Sequence, residues 1–500
     1  MKEKLPEDDG DEREWPMLGD MPAEEFRAAL HAIADWVADY RTGIETLRIS
    51  PAVKPGEITS RLPFEPPGKA ASVDEIFRDF QELILPGIVH WGHPAFLGYF
   101  GSTTTAPGIL AEILAAALNV SAMTWRTSPA ATELETLVLD WLRQLLCLPE
   151  SFTGVVYDTA SVAVLHALAA ARESLALDVR AEGLAGRARV PALRIYASDQ
   201  AHSSVEKAAI MLGIGERNVR RIRSNDAYSM KADDVRRAID DDLREGKLPM
   251  AVVATVGTTS TTSVDEVEAI AALCRERGLW LHVDAAYGGA MALLPEGRHL
   301  MRGVSEADSI VVNPHKWLFV PLDFSALYVR RPELLRATFS LVPEYLRGDA
   351  EQAERNYMDY GVQLGRRFRA LKAWMVFRSF GRQGLTARIR EQVRLAQLFA
   401  SWLDAEPTFE VLAPVLMSVV CFRFVPRDNM SEEASDEELN HLNRHIIEAV
   451  NATGEAYLTH TLLKNRVAMR LAVGNVLTTE RHLAGVLSLI KREAARLTSQ

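Results

Sequence analysis

The chain has 500 residues, 48% of them hydrophobic and 25% charged, with a formal net charge of -11. That is material for a sizeable core and two or three domains, and the acidity excludes a broad nucleic-acid or anionic-membrane face, which would need clustered Lys and Arg. Three distant cysteines, Cys147, Cys274 and Cys421, have no metal-type spacing, so no disulfide framework or zinc site is expected and they read as small core hydrophobes.

The first 14 residues, MKEKLPEDDGDERE, lack the apolar stretch of a secretory signal, and no later run is long enough to span a bilayer. The cytoplasm is the expected compartment. Residues 1 to about 19 read as a solvated acidic arm. A helix follows, with Asp20 as cap, Pro22 in its first turn, a stripe at Phe26, Leu30, Ile33, Val37 and Tyr40, and Gly43 beyond its end. Residues 51–67 are proline-rich and extended, and a helix is predicted over Val73 to Leu85, ended by Pro86. The stretch His90 to Gly108 is aromatic and irregular, as a plugged core or a pocket wall would be. Helical patterns cover Ile109 to Leu118 and Ala131 to Leu146.

From Val155 onward, apolar runs alternate with helical patterns. The expected strands are Leu193 to Ala197, Ala251 to Val256, Leu279 to Val283, Ser309 to Val312 and Ser325 to Val329. Helices are expected at Val162 to Leu175, Ser204 to Leu212, Ala232 to Leu243 and Val264 to Arg277. Continuously apolar strands separated by helices predict a mainly parallel sheet covered on both faces, with its ligand at the C-terminal strand ends. A long helical tract to about Leu403, interrupted near Gly381 and Gly384, leads to a strand at Met417 to Phe424. Then come a helix from Asp436 to Val450, a strand from Arg466 to Ala472 and a helix from Thr479 to Leu497. The domain reading is an N-terminal helical segment over 1–104, a large α/β domain over 105–371 and an α+β small domain over 372–500.

Several polar residues fall at strand ends. Lys316 follows Asn313-Pro314-His315 and precedes Trp317-Leu318-Phe319. A lysine in apolar surroundings loses its proton more easily, and its neutral amine is a nucleophile for an aldehyde, although a single lysine at a strand end more often snorkels to water. Asp284 ends the run LWLHVD and needs a positive or hydrogen-bonding partner, such as a protonated pyridine nitrogen or a turn. His202, in a loop before a helix, is placed to cap it or to stack on a planar ring. Thr159, Ala160 and Ser161 open a helix, where free N–H groups and hydroxyls suit a phosphate or simply cap.

In their joint order, and in NPHKWL, HVDAAYGG, SPAATELE, ATVGTTS and LGRRFRALK, these residues resemble the pyridoxal-phosphate-dependent amino acid decarboxylases of group II, the aromatic-L-amino-acid decarboxylase type. The resemblance implies a PLP-dependent transferase fold of type I and pyridoxal 5'-phosphate as cofactor. Lys316 would carry the cofactor covalently, Asp284 would bind its pyridinium nitrogen and His202 would stack on its ring. Thr159, Ala160, Ser161 and Asn313 would hold the phosphate, with Thr255 beside it. Trp91, Tyr99, Phe100, Ser102 and His315 would line the substrate pocket. Ser121 and Met123 would reach that pocket from a partner subunit, which implies a homodimer with the site at its interface. Tyr345 matches the tyrosine of a catalytic loop, and the polar, aperiodic residues 347–356 read as an exposed lid.

The implied reaction is L-amino acid to amine and CO2, with an aromatic substrate. Two positions depart from the family: Asp158 stands where glycine is usual, and Val162 where glutamate is. An acid beside a phosphate is repulsive unless it turns away or meets a cation. Ser121 and Met123 also replace bulkier residues of animal members. The rival readings are an aldehyde-forming oxidative decarboxylase, which generally has phenylalanine in place of Tyr345, a decarboxylase of acidic or diamino substrates, and a non-catalytic scaffold.

Overall fold

The computed structural model describes residues 20–101, 104–341, 355–426 and 435–499. Seven strands form the larger sheet: β1 (Thr153–Tyr157), β2 (Leu193–Ser198), β3 (Val219–Ile222), β4 (Leu248–Thr255), β5 (Trp280–Asp284), β6 (Ser309–Val312) and β7 (Ser325–Val329). Their order is β1-β7-β6-β5-β4-β2-β3. All neighbours run parallel except β7, which is antiparallel to both β1 and β6. The C-terminal ends of β1, β2, β4, β5 and β6 therefore share one edge.

The five expected apolar runs are β2, β4, β5, β6 and β7; β6 and β7 match at both ends, and the other three shift by one to three residues. The reason for burial is visible in composition: β4 to β7 are almost continuously apolar, as a sheet covered on both faces requires. The helix expected from Val264 begins at Val267. Val264 instead bridges Val256, and the Asp265 carboxylate accepts the N–H groups of Met230 and Thr255.

A second sheet of four strands is formed by β8 (Phe409–Val411), β9 (Val419–Phe424), β10 (Thr459–Leu463) and β11 (Arg466–Ala472), in the antiparallel order β10-β11-β9-β8. The helices Asp436–Thr453 and Glu480–Thr498 pack into its core, which also takes Ile49 and Ala95 to Leu97 from the N-terminal segment. Phe96 makes a parallel bridge with Tyr457, so the aromatic stretch before the helix Ala106–Leu118 is tied to the smaller sheet.

The helix Ala370–Asp404 is broken at Gly381, whose φ of 60° and ψ of 173° are not helical. Local corrections concern caps, one thiol and the stretch 51–67, where the helix Glu57–Arg61 interrupts the expected extended run. Asp20 accepts only from the Met21 N–H and does not cap the helix Ala23–Gly43, and Gly43 lies inside that helix. Cys147 is exposed rather than a core residue, whereas Cys274 and Cys421 are buried. Among the described residues no helix is long and apolar enough to cross a membrane.

Candidate active site

Five strand ends deliver their residues to one cleft of about 200 Å³, lined by Phe100, Thr159, Ala160, Ser161, His202, Thr255, Asp284, Asn313, His315 and Lys316, among others. It adjoins a cavity of about 630 Å³ walled by Trp91, Tyr99 and Phe100 and shares Phe100, His202, His315 and Lys316 with it. A groove of similar size beside β3 holds none of the expected residues. Its charges pair with one another, as in Arg220 with Asp241 and Arg237 with Asp234.

Each cleft residue has a local cause. Lys316 sits in the single turn Pro314–Trp317 that β6 leads into. Burial pushes its amine below the usual lysine range, Asp284 pulls the other way, and Arg470 adds to the fall. Its nitrogen lies 5.2 Å from the centre of the Phe100 ring. No ion pair or hydrogen bond to that nitrogen occurs among the described residues.

Asp284 ends β5 and is nearly buried; its Oδ1 accepts from the Ala286 N–H at 3.0 Å. His202 accepts the Ser204 N–H on Nδ1 at 3.1 Å, so the neutral ring carries its proton on Nε2. Burial holds that imidazole below its usual range, opposed by Asp284. His315 accepts the Phe324 N–H on Nδ1 at 3.0 Å, and burial lowers its pKa to about 4, so it is neutral at pH 7.

The side-chain oxygen of Asn313 accepts from the Ser325 hydroxyl at 2.6 Å, which leaves the amide nitrogen as its available donor. Thr255 gives its N–H to Asp265, whose pKa burial raises to about 7. The Thr255 hydroxyl is buried without a partner.

Behind these residues stands a column of rings. Phe100 stacks on Tyr287 at 3.9 Å, and Tyr287 on Trp317 at 4.5 Å with planes 2° apart. At the mouth of the larger cavity Trp91 stacks on Tyr99 at 5.5 Å. Tyr99 holds a φ of 52°, a left-handed conformation uncommon for a bulky residue.

Arg470, from β11, was not anticipated as a site residue. It is the cation that interrupts the apolar run VAMRLA after Arg466, the same signal that marks Lys316. It donates to the carbonyls of Ser260 and Tyr99 and lies 4.6 Å over the Phe100 ring. Its Nη2 is buried without a partner, and it lines the larger cavity with Thr459, His460 and Thr461. These C-terminal contributors carry no motif. Only the fold brings them to the site.

Ser121 and Met123 do not line the cleft of their own chain. Ser121 Oγ accepts from the Arg366 N–H at 3.4 Å, and the Met123 carbonyl from the Met358 N–H at 3.0 Å. Ser102, Tyr345 and nearly all of the expected lid lie outside the described residues.

The cleft suits a planar, charged aldehyde bearing a phosphate. It offers a desolvated amine, a strand-end carboxylate with capacity to spare, an orphaned hydroxyl at Thr255 and a helix start with two hydroxyl-bearing residues. This is the donor set of a pyridoxal-phosphate enzyme of fold type I.

Known proteins agree. Residues 55–425 match the model of the pyridoxal-dependent decarboxylase conserved domain. Tryptophan decarboxylase 2 of Oryza sativa subsp. japonica is 39% identical over 498 residues, covering 98% of each chain. Phenylacetaldehyde synthase of a Rosa hybrid cultivar is 38% identical over 488 residues, covering 95% of each. The crystal structure of Oryza sativa TDC with PLP and tryptamine superimposes with a TM-score of 0.91 at 37% identity, covering 96% of this chain and 99% of that one. The chain belongs to the pyridoxal-dependent decarboxylase family. It is a carboxy-lyase that uses pyridoxal phosphate to decarboxylate an amino acid.

Proposed function

We propose that the protein converts an aromatic L-amino acid to its amine and CO2 at the cleft around Lys316. The observation that carries this reading is a pair of adjoining cavities with Lys316, His202 and Phe100 in common, one holding Asp284 and the other walled by Trp91 and Tyr99. Relatives named for tryptophan and tyrosine decarboxylation support it.

In this reading Thr159, Ala160, Ser161 and Asn313 would hold the phosphate, with Thr255 beside it, and Lys316 would anchor the cofactor. When bound, pyridoxal phosphate supplies an electron sink for the pair released as the bond from Cα to the carboxylate breaks. Asp284 holds a proton on the ring nitrogen. His202 would cover one face of the ring with its neutral imidazole, orienting it and excluding water. Arg470 gives the incoming carboxylate a fixed positive charge, and the aromatic wall receives the side chain. Neutral His315 presents its Nε2–H to the pocket. Tyr345 returns a proton to the substrate Cα, and its replacement by phenylalanine is expected to divert product from amine to aldehyde. Unchanged amine yield in that variant would remove Tyr345 from the role.

The working unit is a homodimer. The helix Ala106–Leu118 leaves Leu110, Leu114 and Leu118 about half exposed on a face that a second copy would cover, and Ser121 and Met123 follow directly after it. The cytoplasm is the proposed compartment, supported by three unpaired cysteines.

The test is a screen of CO2, amine, aldehyde and peroxide release over aromatic, acidic and basic L-amino acids. Release of amine and CO2 in equal amounts from aromatic substrates is expected. Aldehyde and peroxide in place of amine, the outcome suggested by the phenylacetaldehyde synthase relative, would overturn simple decarboxylation, and preference for an acidic substrate would overturn the aromatic assignment.

A further inference from the structure

At the start of the helix Ala160–Glu173, both donors of Thr159, one of the residues assigned to the cofactor phosphate, are already engaged by a carboxylate of the chain itself. Asp158 Oδ1 accepts the backbone N–H of Thr159 at 2.6 Å and the Thr159 hydroxyl at 3.2 Å. Its other oxygen, Oδ2, accepts from Gln363 Nε2 at 3.3 Å. Among the described residues no cation pairs with it.

His166, two turns along the same helix, cannot supply the missing charge. Its Nδ1–H goes to the Val162 carbonyl at 2.7 Å and its Nε2 accepts the Val362 N–H at 3.1 Å. Burial lowers its pKa to about 4, so the ring is neutral at pH 7. A phosphate ester, which carries between one and two negative charges at neutral pH, must therefore take both Thr159 donors from Asp158 and then lie beside an unpaired carboxylate. Lost hydrogen bonds and like-charge repulsion act in the same direction.

We propose that Asp158 is an internal occupant of the phosphate cradle that weakens retention of the phosphorylated cofactor, so that the chain exchanges pyridoxal phosphate with its surroundings. The effect is directed at the phosphate alone. Pyridoxal, which shares the ring and aldehyde but lacks the phosphate, is indifferent to the charge at 158. The inference rests on the reading of Thr159 to Ser161 as the phosphate cradle.

The experiment compares the full-length wild type with Asp158→Asn, which keeps the size and removes the charge, and Asp158→Gly, which removes both. Equilibrium dialysis against graded pyridoxal phosphate or pyridoxal measures bound cofactor by visible absorbance, and circular dichroism confirms folding of each variant. Both variants are expected to bind pyridoxal phosphate at least about tenfold more tightly than wild type, with pyridoxal affinity unchanged. Unchanged or weaker binding of pyridoxal phosphate in a folded variant would overturn the proposal, as would an equal gain for both ligands. Failure of the cradle reading is a separate result: both variants, like wild type, would then bind pyridoxal phosphate no more tightly than pyridoxal.

Discussion

Two buried arginines show how this chain separates structure from chemistry. Arg366 is saturated: it forms two bonds with Glu135, at 2.6 and 3.0 Å, donates to the carbonyls of Ala122 and Val156 at 3.0 and 2.8 Å, and lies 4.8 Å over the Tyr357 ring. The side chains of the pair are only 5% and 2% exposed. Arg470 is equally enclosed in protein but has no carboxylate partner among the described residues, an idle Nη2 and a cavity in front of it. A buried charge whose valences are all met holds elements together, here joining SPAATELE to LGRRFRALK across the edge of the large sheet. A buried charge left short of partners is kept for something that arrives.

The same contrast orders the tests. Removing the unsaturated amine, Lys316→Ala, should cut decarboxylation by more than about a thousandfold and abolish borohydride-fixed cofactor, with the melting temperature of the cofactor-free protein unchanged. Retained covalent cofactor would break the assignment. Removing the saturated cation, Arg366→Met, should do the reverse, destabilising the fold by about 3 to 5 kcal/mol because Glu135 is left buried and unpaired. Urea unfolding reads this, and a stable but inactive variant would erase the distinction. Arg470→Met should raise KM by at least about tenfold with little loss of stability; a drop in melting temperature with unchanged KM would place Arg470 with Arg366.

The smallest effect concerns buried imidazoles. His166, His282 and His315 are each held down to about 4 by burial. Below the ordinary histidine value the unfolded chain binds more protons than the folded one, so the stability they contribute is complete above about pH 6.5 and is lost as pH falls towards 4. Asp265, raised to about 7, works in the opposite sense, since its folded form keeps a proton between about pH 4 and 7 that the unfolded form releases. Three groups against one give a net loss on acidification. Urea midpoints measured from pH 7 to 4 should fall, and His282→Asn should flatten the slope; an unaltered slope would show that His282 titrates normally.

Much of this was legible in the chain because burial leaves a strong trace. The runs of β4 to β7 are apolar on both faces, and the residues that interrupt them at their ends, Asp284, Asn313 and Lys316, are those that line the cleft. What escaped shares a cause. β3 reads VRRI and was missed because its arginines find partners elsewhere in space, Arg220 on Asp241 and Arg221 on Glu206. β10 reads THTLL, a half-exposed strand whose alternation is too short to stand out. Arg470, Thr459 and His460 lie more than 140 residues beyond Lys316, and no local pattern announces a contact made only when the second sheet docks. Local periodicity records what a residue does within its own element and says little about which distant element it will face.

The ring column gives the cleft an obligatory assembly order. Phe100 comes from the N-terminal segment, Tyr287 from beyond β5 and Trp317 from beside Lys316. Tyr287 hydrogen-bonds Ser418 and Trp317 donates to Gln392 on the long helix at 2.6 Å. The floor beneath the reactive amine is thus stitched from segments more than 300 residues apart in the chain. Such contacts close long loops and form after local structure. A chain still emerging from synthesis, with its second sheet unmade, therefore holds all three rings but lacks Ser418, the partner that fixes Tyr287.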